Sequence, residues 1–127
     1  MKGLLDTHAF IWWDSDPSKL TAPALAFISD PANVILFSVV SVWEMVIKLQ
    51  LGKLTLARPL HTILANQQAN GIQALPVALP HVLAVEGLPT PHKDPFDRLL
   101  VAQANVEGAV LVSADPIFAH YPVKVLW

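Results

Sequence analysis

Short apolar runs alternate along this chain with longer segments of helical periodicity. Strand-type runs are predicted at residues 3–5, 34–37, 72–77, 109–112 and 123–125, and helices at 8–13, 21–29, 39–51, 60–70, 79–86 and 95–107. Strands that alternate with helices usually pair in parallel, and short strands that are apolar throughout are covered on both faces. The sequence therefore predicts an α/β fold with a short central parallel β-sheet flanked by α-helices, an α/β/α sandwich.

The size and composition of the chain narrow its class further. It has 127 residues, of which 54% are hydrophobic and 14% charged, so we expect one folded domain over residues 1–127 and exclude disorder. No apolar run approaches the roughly 18 residues of a membrane span, and Asp6 interrupts the first run too early for a signal peptide. The absence of cysteine excludes disulfides and zinc–thiolate sites. We expect a soluble, cytoplasmic protein with no membrane association.

The charge balance bears on nucleic-acid binding. Eight basic and ten acidic residues give a formal net charge of −2, whereas sequence-independent nucleic-acid binders usually carry a basic stripe. If the chain handles nucleic acid, a bound divalent cation or a groove between two subunits has to bridge to the phosphates.

Four acidic side chains stand at positions where the predicted fold can bring them together. Asp6 and Asp115 directly follow predicted strands, Glu44 lies on the longest helix, and Asp97 lies in the first turn of another. Sites in parallel sheets form beyond the carboxyl ends of the strands. Carboxylates gathered there repel one another, and a hard cation such as Mg²⁺ or Mn²⁺ removes that conflict. The pattern predicts an acidic metal site, without deciding between one ion and two.

Each of these acids also has an ordinary structural explanation. Asp6 and Asp115 can cap the helical segments that follow them. Asp94 before Pro95 has the pattern of a capped helix start, in which Asp97, at the third helical position, reaches back as in a capping box. Glu44 stands four residues before Lys48, which is the favourable order for an ion pair on a helix. Taken one at a time, the acids do not decide between a cap and a ligand.

Four sequence blocks at these acids, in order along the chain, resemble the PIN-domain family and, within it, VapC-type toxins. The blocks are Leu4-Leu5-Asp6-Thr7-His8, Ser38-Val39-Val40-Ser41-Val42-Trp43-Glu44, the segment 92–104 (HKDPFDRLLVAQA) and Leu111-Val112-Ser113-Ala114-Asp115. Each block alone is a weak signal. Four in one order in a chain this short are specific.

The resemblance implies a fold, an activity and partners. It implies a single PIN domain over residues 1–127 and a metal-dependent endoribonuclease with Mg²⁺ or Mn²⁺ as cofactor. The acids that the family uses for metal binding and catalysis fall on Asp6, Glu44, Asp97 and Asp115. It further implies an RNA substrate, a homodimer, and a cognate VapB-type antitoxin whose C-terminal segment blocks the site. None of the partners follows from composition or spacing.

Five further residues are candidates for supporting roles. Thr7 and Ser113 could orient a ligand or a water, or could simply form hydrogen bonds at strand ends. Asp94 is kept chiefly as a helix cap, with direct metal contact as the alternative. Lys48 and Arg98 could contact RNA phosphates, although a single Lys or Arg side chain usually lies exposed at the surface without a specific role.

The sequence does not decide the roles of the tryptophan and histidine side chains. Trp12 and Trp13, near Asp6, could stack on a base, but packing in the core or in a dimer is the commoner role for such residues. Trp43 shares the apolar face of its helix and is expected in the core. None of the histidines has the spacing of a zinc site, so we expect them at the surface or behind a ligand; they are His8, His61, His81, His92 and His120.

Three other functions remain open from the residues alone. A receiver domain has a similar length and an acidic Mg²⁺ pocket, but it needs adjacent acids after its first strand and a lysine after its fifth. A non-catalytic binding module would use the carboxylates only as caps. A PIN-type or flap-type nuclease acting on DNA would use the same acids, and the acid set cannot distinguish it.

Overall fold

The computed structural model describes residues 1–90 and 94–127, so His92 and Lys93 of the family-like block lie outside the described residues. The strands are β1 (Lys2–Leu5), β2 (Val34–Ser38), β3 (Gln73–Leu75), β4 (Val110–Val112) and β5 (Val125–Leu126). The α-helices are α1 (Thr7–Ser15), α2 (Ala22–Ser29), α3 (Val39–Gln50), α4 (Leu60–Ala69), α5 (Leu79–Ala84) and α6 (Pro95–Glu107). Short 3-10 turns lie at Pro17–Lys19, Val85–Gly87 and Pro116–His120.

All strand pairs of the sheet are parallel, in the order β3-β2-β1-β4-β5. The first strand is therefore central. The chain builds outward from it through β2 and β3, and later returns to its other side through β4 and β5. The direction of winding reverses between β1 and β4, and in such sheets a crevice opens there at the carboxyl ends of the strands. The acids that follow these two strands, Asp6 and Asp115, flank this crevice.

Successive strand residues face opposite layers of the molecule, as the pleat of a β-strand requires. Leu5, Phe37 and Val112 belong to a core cluster that α1, α2, α3 and α4 complete. Leu4, Leu36 and Leu111 point to the other side, where they pack with residues of α6 and of the Pro116–His120 turn. The sheet is thus covered on both faces, which confirms the α/β/α prediction.

Helix α3 shows where the sequence prediction was wrong. Trp43 was expected in the core, but 59% of it is exposed. The buried residues of this helix are Val40, Ser41, Glu44 and Met45, so its inward face carries two polar residues. A prediction from the apolar residues alone therefore gives the wrong buried face for α3, because the buried face contributes polar residues to the crevice as well as apolar residues to the core.

No helix among the described residues combines the length and the apolar character that a bilayer crossing requires.

Candidate functional site

A pocket of about 120 Å³ lies at the crevice between β1 and β4 and gathers most of the predicted site residues. Its lining, which we call the acidic pocket, consists of Asp6, Thr7, His8, Glu44, Lys48, Asp94, Asp97 and Asp115. All four acids predicted as catalytic are present, together with Asp94, which was predicted chiefly as a helix cap. Among the described residues, five carboxylates share the pocket with a single Lys or Arg side chain, Lys48.

Asp6 is fixed from three directions at the end of β1. Its backbone N–H donates to the carbonyl of Val112 at 3.1 Å, which ties it to β4. Its Oδ1 accepts from the N–H of Ala9 at 2.8 Å and caps α1, and its Oδ2 accepts from the Ser113 hydroxyl at 2.5 Å. Burial raises the pKa of Asp6, the hydrogen bonds from Ser113 and Ala9 oppose this, and the nearby Asp97 raises it further. A cation in the pocket would favour the charged form of this carboxyl group.

Glu44 is held between a hydroxyl and an ammonium group. The Thr7 hydroxyl donates to Glu44 Oε1 at 2.6 Å, and Lys48 Nζ lies 3.0 Å from Glu44 Oε2. The ion pair expected from the helical spacing is therefore present, and it lies inside the acidic pocket. Thr7 therefore orients the Glu44 carboxylate within the pocket, and that this carboxylate is a metal ligand stays a prediction.

Asp94 and Asp115 both cap helical segments while lining the pocket. Asp94 Oδ1 accepts from the N–H groups of Phe96 and Asp97 at 2.9 and 3.3 Å, and Asp115 Oδ1 accepts from Ile117 at 3.0 Å. In the described part of the chain, the Oδ2 atom of neither residue has a hydrogen-bond partner. The cap and the ligand roles are thus compatible, because each uses a different oxygen, and helix N-termini stabilise charged carboxylates.

Two predicted site residues lie outside the pocket lining. Ser113 stands behind Asp6, and its Oγ also accepts from the N–H of Asp115 at 3.0 Å, so it connects the two strand-end acids. Arg98 donates to the backbone carbonyls of Pro89 at 2.6 Å and of Val85 at 3.4 Å. Its guanidinium group is therefore engaged with the chain preceding α6.

The donor set fits a hard divalent cation. Carboxylate and hydroxyl oxygens are the ligands of Mg²⁺ and Mn²⁺, and such ions keep several waters, so a few carboxylates suffice. In the described residues no three Asp, Glu or His side chains are close enough to form a complete metal site. Side-chain rotations, including release of Glu44 from Lys48, would have to bring the carboxylates onto one ion.

A buried polar chain behind the pocket was missed by the sequence analysis. Gln103 on α6 is fully buried; its Oε1 accepts from the Ser38 hydroxyl at 2.5 Å, and its Nε2 lies 3.3 Å from His81 Nδ1. Ser38 Oγ in turn accepts from the N–H of Val40 and caps α3. Gln103 therefore connects the helix of Asp97 to the helix of Glu44. The signal for it was a lone glutamine inside the otherwise apolar stretch 99–104.

The chain is similar in sequence to known proteins. The PIN domain family model matches residues 3–124. Ribonuclease VapC22 of Mycobacterium tuberculosis is 28% identical over 113 residues, which cover 88% of this chain and 85% of that protein.

Solved structures share the fold. VapBC2 from Rickettsia felis, crystallised with a DNA fragment from its promoter, has a TM-score of 0.71 at 14% identity and covers 99% of this chain and 98% of that one. DNA-bound VapBC from Salmonella typhimurium has a TM-score of 0.69 at 16% identity and covers 99% and 97%. At these identities the likeness shows the fold alone.

Proposed function

The chain belongs to the PIN-domain family, and from this premise we propose that it is a metal-dependent endoribonuclease, the toxin of a VapBC-type toxin–antitoxin pair. One observation carries the proposal: five carboxylates line one pocket at the point where the parallel sheet reverses its winding. The relative named Ribonuclease VapC22 supports the RNA substrate. We also propose that residues 1–127 form a single PIN domain.

We assign Asp6, Glu44, Asp97 and Asp115 as the residues that hold Mg²⁺ or Mn²⁺, with Asp94 at the margin of the site. When bound, such an ion lowers the pKa of a water and neutralises charge at a phosphate during an in-line displacement. The rise in the pKa of Asp6 on burial supports the assignment, because a cation would offset the cost of burying its charge.

The chain's own residues orient the acids and meet the substrate. The Ala9 N–H and the Ser113 hydroxyl fix both oxygens of Asp6, and Thr7 fixes one oxygen of Glu44. When Glu44 turns from Lys48 toward an ion, the ammonium group of Lys48 is left at the pocket wall, where it can bind an RNA phosphate.

Of the two cations proposed from the sequence, we therefore favour Lys48 over Arg98 for the phosphate contact. Arg98 is already engaged by the carbonyls of Pro89 and Val85.

The proposed partners are an antitoxin of VapB type and a second copy of this chain. Structures of VapBC complexes share this fold, which supports the antitoxin. Val39, Trp43 and Val46 recur along one face of α3 and are all exposed, which supports burial of that face in a homodimer. A toxin that cuts cellular RNA, and that a VapB-type antitoxin holds inactive, would act in the cytoplasm.

The test of the activity compares RNA and DNA oligonucleotides of one sequence, incubated with purified protein and Mn²⁺ or with a chelator. We expect Mn²⁺-dependent cutting of RNA, and loss of that cutting in Asp6→Asn, Asp97→Asn and Asp115→Asn. Asp30→Asn is the matched control, because Asp30 is exposed and only caps a turn through the N–H of Ala32.

Each other result has a distinct meaning. Full activity in two of the three site variants would refute the site. Cutting of DNA alone would favour the DNA nuclease. Failure of the native protein to bind Mn²⁺ above background would leave the carboxylates as caps. Mapping new RNA ends in cells that express the native chain or Asp6→Asn would then identify the target.

A further inference from the structure

A second hollow with an aromatic wall adjoins the acidic pocket. This aromatic hollow, of about 200 Å³, is lined by Asp6, His8, Trp12, Ala114 and Asp115. It shares Asp6, His8 and Asp115 with the acidic pocket, so the two spaces lie side by side. A molecule with one group in the acidic pocket can therefore place its next group in the aromatic hollow.

The aromatic wall is built on a rigid element. His8 and Trp12 are one turn apart on α1, and their ring centroids lie 5.8 Å apart with an interplanar angle of 40°. Trp12 is half-buried and contacts Trp127 at a centroid distance of 5.7 Å, whereas His8 is exposed. The indole is thus held by its neighbours while part of it lines the hollow.

The neighbouring tryptophan has a different role. The Trp13 indole N–H donates to Gln67 Oε1 at 2.9 Å, and Gln67 Nε2 donates to Asp14 at 2.9 Å, so this side chain is fixed in the fold. Within residues 1–90 and 94–127, the indole N–H of Trp12 has no such acceptor. Packing and hydrogen bonding therefore account for Trp13. In Trp12, by contrast, the part of the indole ring that lines the hollow and the indole N–H are available to a ligand.

We propose that the aromatic hollow is a nucleobase subsite, in which an unpaired base next to the scissile phosphate of single-stranded RNA stacks on Trp12 and His8. The inference rests on the proposed function and adds a subsite to it, with Trp12 and His8 as the residues on which the base stacks. The hollow can accept a ring system. Its rim carries the carboxylates of Asp6 and Asp115, which repel a second phosphate but not an uncharged base.

The experiment measures cleavage of a short single-stranded RNA in which one residue at a time, on either side of the scissile bond, is made abasic. For the native protein we expect one adjacent position at which the abasic residue raises KM roughly ten-fold, because one stacked base is lost. In Trp12→Leu, KM for the intact RNA should be raised to a similar extent, and the abasic residue should add little. Trp12→Phe keeps an aromatic face and should recover part of the native KM.

Two variants guard against a loss of fold. His8→Ala changes an exposed residue of the hollow and should weaken the abasic effect without altering thermal stability. His61→Ala is its matched control, because His61 is an exposed histidine on α4 away from both spaces, and it should behave as the native protein. Mn²⁺ affinity, measured directly by electron paramagnetic resonance, should be the same in Trp12→Leu, Trp12→Phe and His61→Ala as in the native protein.

The results separate this inference from the proposed function. If the native protein cuts RNA but no abasic position distinguishes it from Trp12→Leu and His8→Ala, the nucleobase subsite is refuted and the proposed function stands; the hollow would then be left for a side chain of a protein partner. If the native protein binds Mn²⁺ and cuts no RNA, both the function and the subsite are refuted.

Discussion

Replacing Gln103 by leucine should both destabilise the protein and weaken cation binding at the proposed metal site. Gln103 is fully buried on α6, and its Oε1 accepts the hydroxyl of Ser38, which caps α3 through the N–H of Val40. Leucine has a similar volume, so the substitution removes hydrogen bonds without opening a large cavity. Ser38, which caps the helix that carries Glu44, would then lose the hydrogen-bond acceptor of its hydroxyl group.

The magnitude follows from what the substitution leaves unpaired. The Ser38 hydroxyl is fully buried and would keep its bond from Val40 but lose its acceptor. An unsatisfied buried donor costs about 1–3 kcal/mol, and loss of the longer contact to the Pro76 carbonyl, at 3.4 Å, adds less. We expect about 2 kcal/mol, which for a chain of this length lowers Tm by about 8 °C. Gln103 acts on Glu44 only through Ser38 and the start of α3, so we expect the Mn²⁺ affinity to fall by less than the roughly ten-fold that follows loss of a direct hydrogen-bond partner of a metal ligand.

Urea denaturation and calorimetry measure the first effect, and titration with Mn²⁺ measures the second. In a double-mutant cycle, Ser38→Ala with Gln103→Leu should cost about 1–2 kcal/mol less than the sum of the single changes, because neither partner is then left unpaired. Gln68→Leu, at an exposed position of α4, is the control. A stability and a Mn²⁺ affinity for Gln103→Leu that match this control would refute the reasoning.

Three further predictions concern charged residues. Because burial raises the pKa of Asp6 above its usual 3.8, the metal-free folded state holds that proton more tightly than the unfolded chain. The difference in free energy of unfolding between the native protein and Asp6→Asn should therefore fall as the pH rises from 3.8 through the raised pKa of Asp6. A difference that does not change with pH would contradict this prediction. Lys48→Met should bind Mn²⁺ several-fold more tightly in calorimetry, because a positive charge 3.0 Å from Glu44 no longer competes, and weaker binding would refute that competition. Arg58→Ala should lower the free energy of unfolding by about 1 kcal/mol in urea denaturation, because Arg58 pairs at 2.8 Å with the largely buried Asp14. The loss is modest because Arg58 itself is exposed. No change would show that solvent or Gln67 satisfies the Asp14 carboxylate.

Local patterns were enough to predict most elements but not their arrangement. Helix α6 runs from Pro95 to Glu107 as predicted, because Asp94 caps it and Gly108, with φ +65°, ends it. Strand β3 is shorter than the predicted 72–77, because pairing with β2 involves only Gln73–Leu75. The position of β1 at the centre of the sheet depends on contacts between residues more than a hundred positions apart, which no local pattern encodes.

In the candidate site too, local features were predicted and contacts between distant elements were not. The acids at strand ends were found because parallel strands deliver their carboxyl ends to one edge. The hydrogen bond from Thr7 to Glu44 and the chain through Gln103 were not predicted, since both join helices whose relative placement the sequence does not give. Trp43 was misplaced for a related reason: the inward face of α3 is chosen partly by Glu44 and Ser41, which hydropathy assigns to solvent.

The central position of β1 also has a consequence in time. Asp6 leaves the ribosome well before β4, yet its backbone N–H pairs with Val112 and its carboxylate with Ser113, which lies 107 positions later in the chain. Until β4 has been synthesised, the nascent chain lacks Asp115 and one whole side of the crevice. A translation product that stops before residue 110 would therefore carry three of the four assigned acids and no complete pocket, so the proposed cutting activity would arise only after β4 and Asp115 have been made.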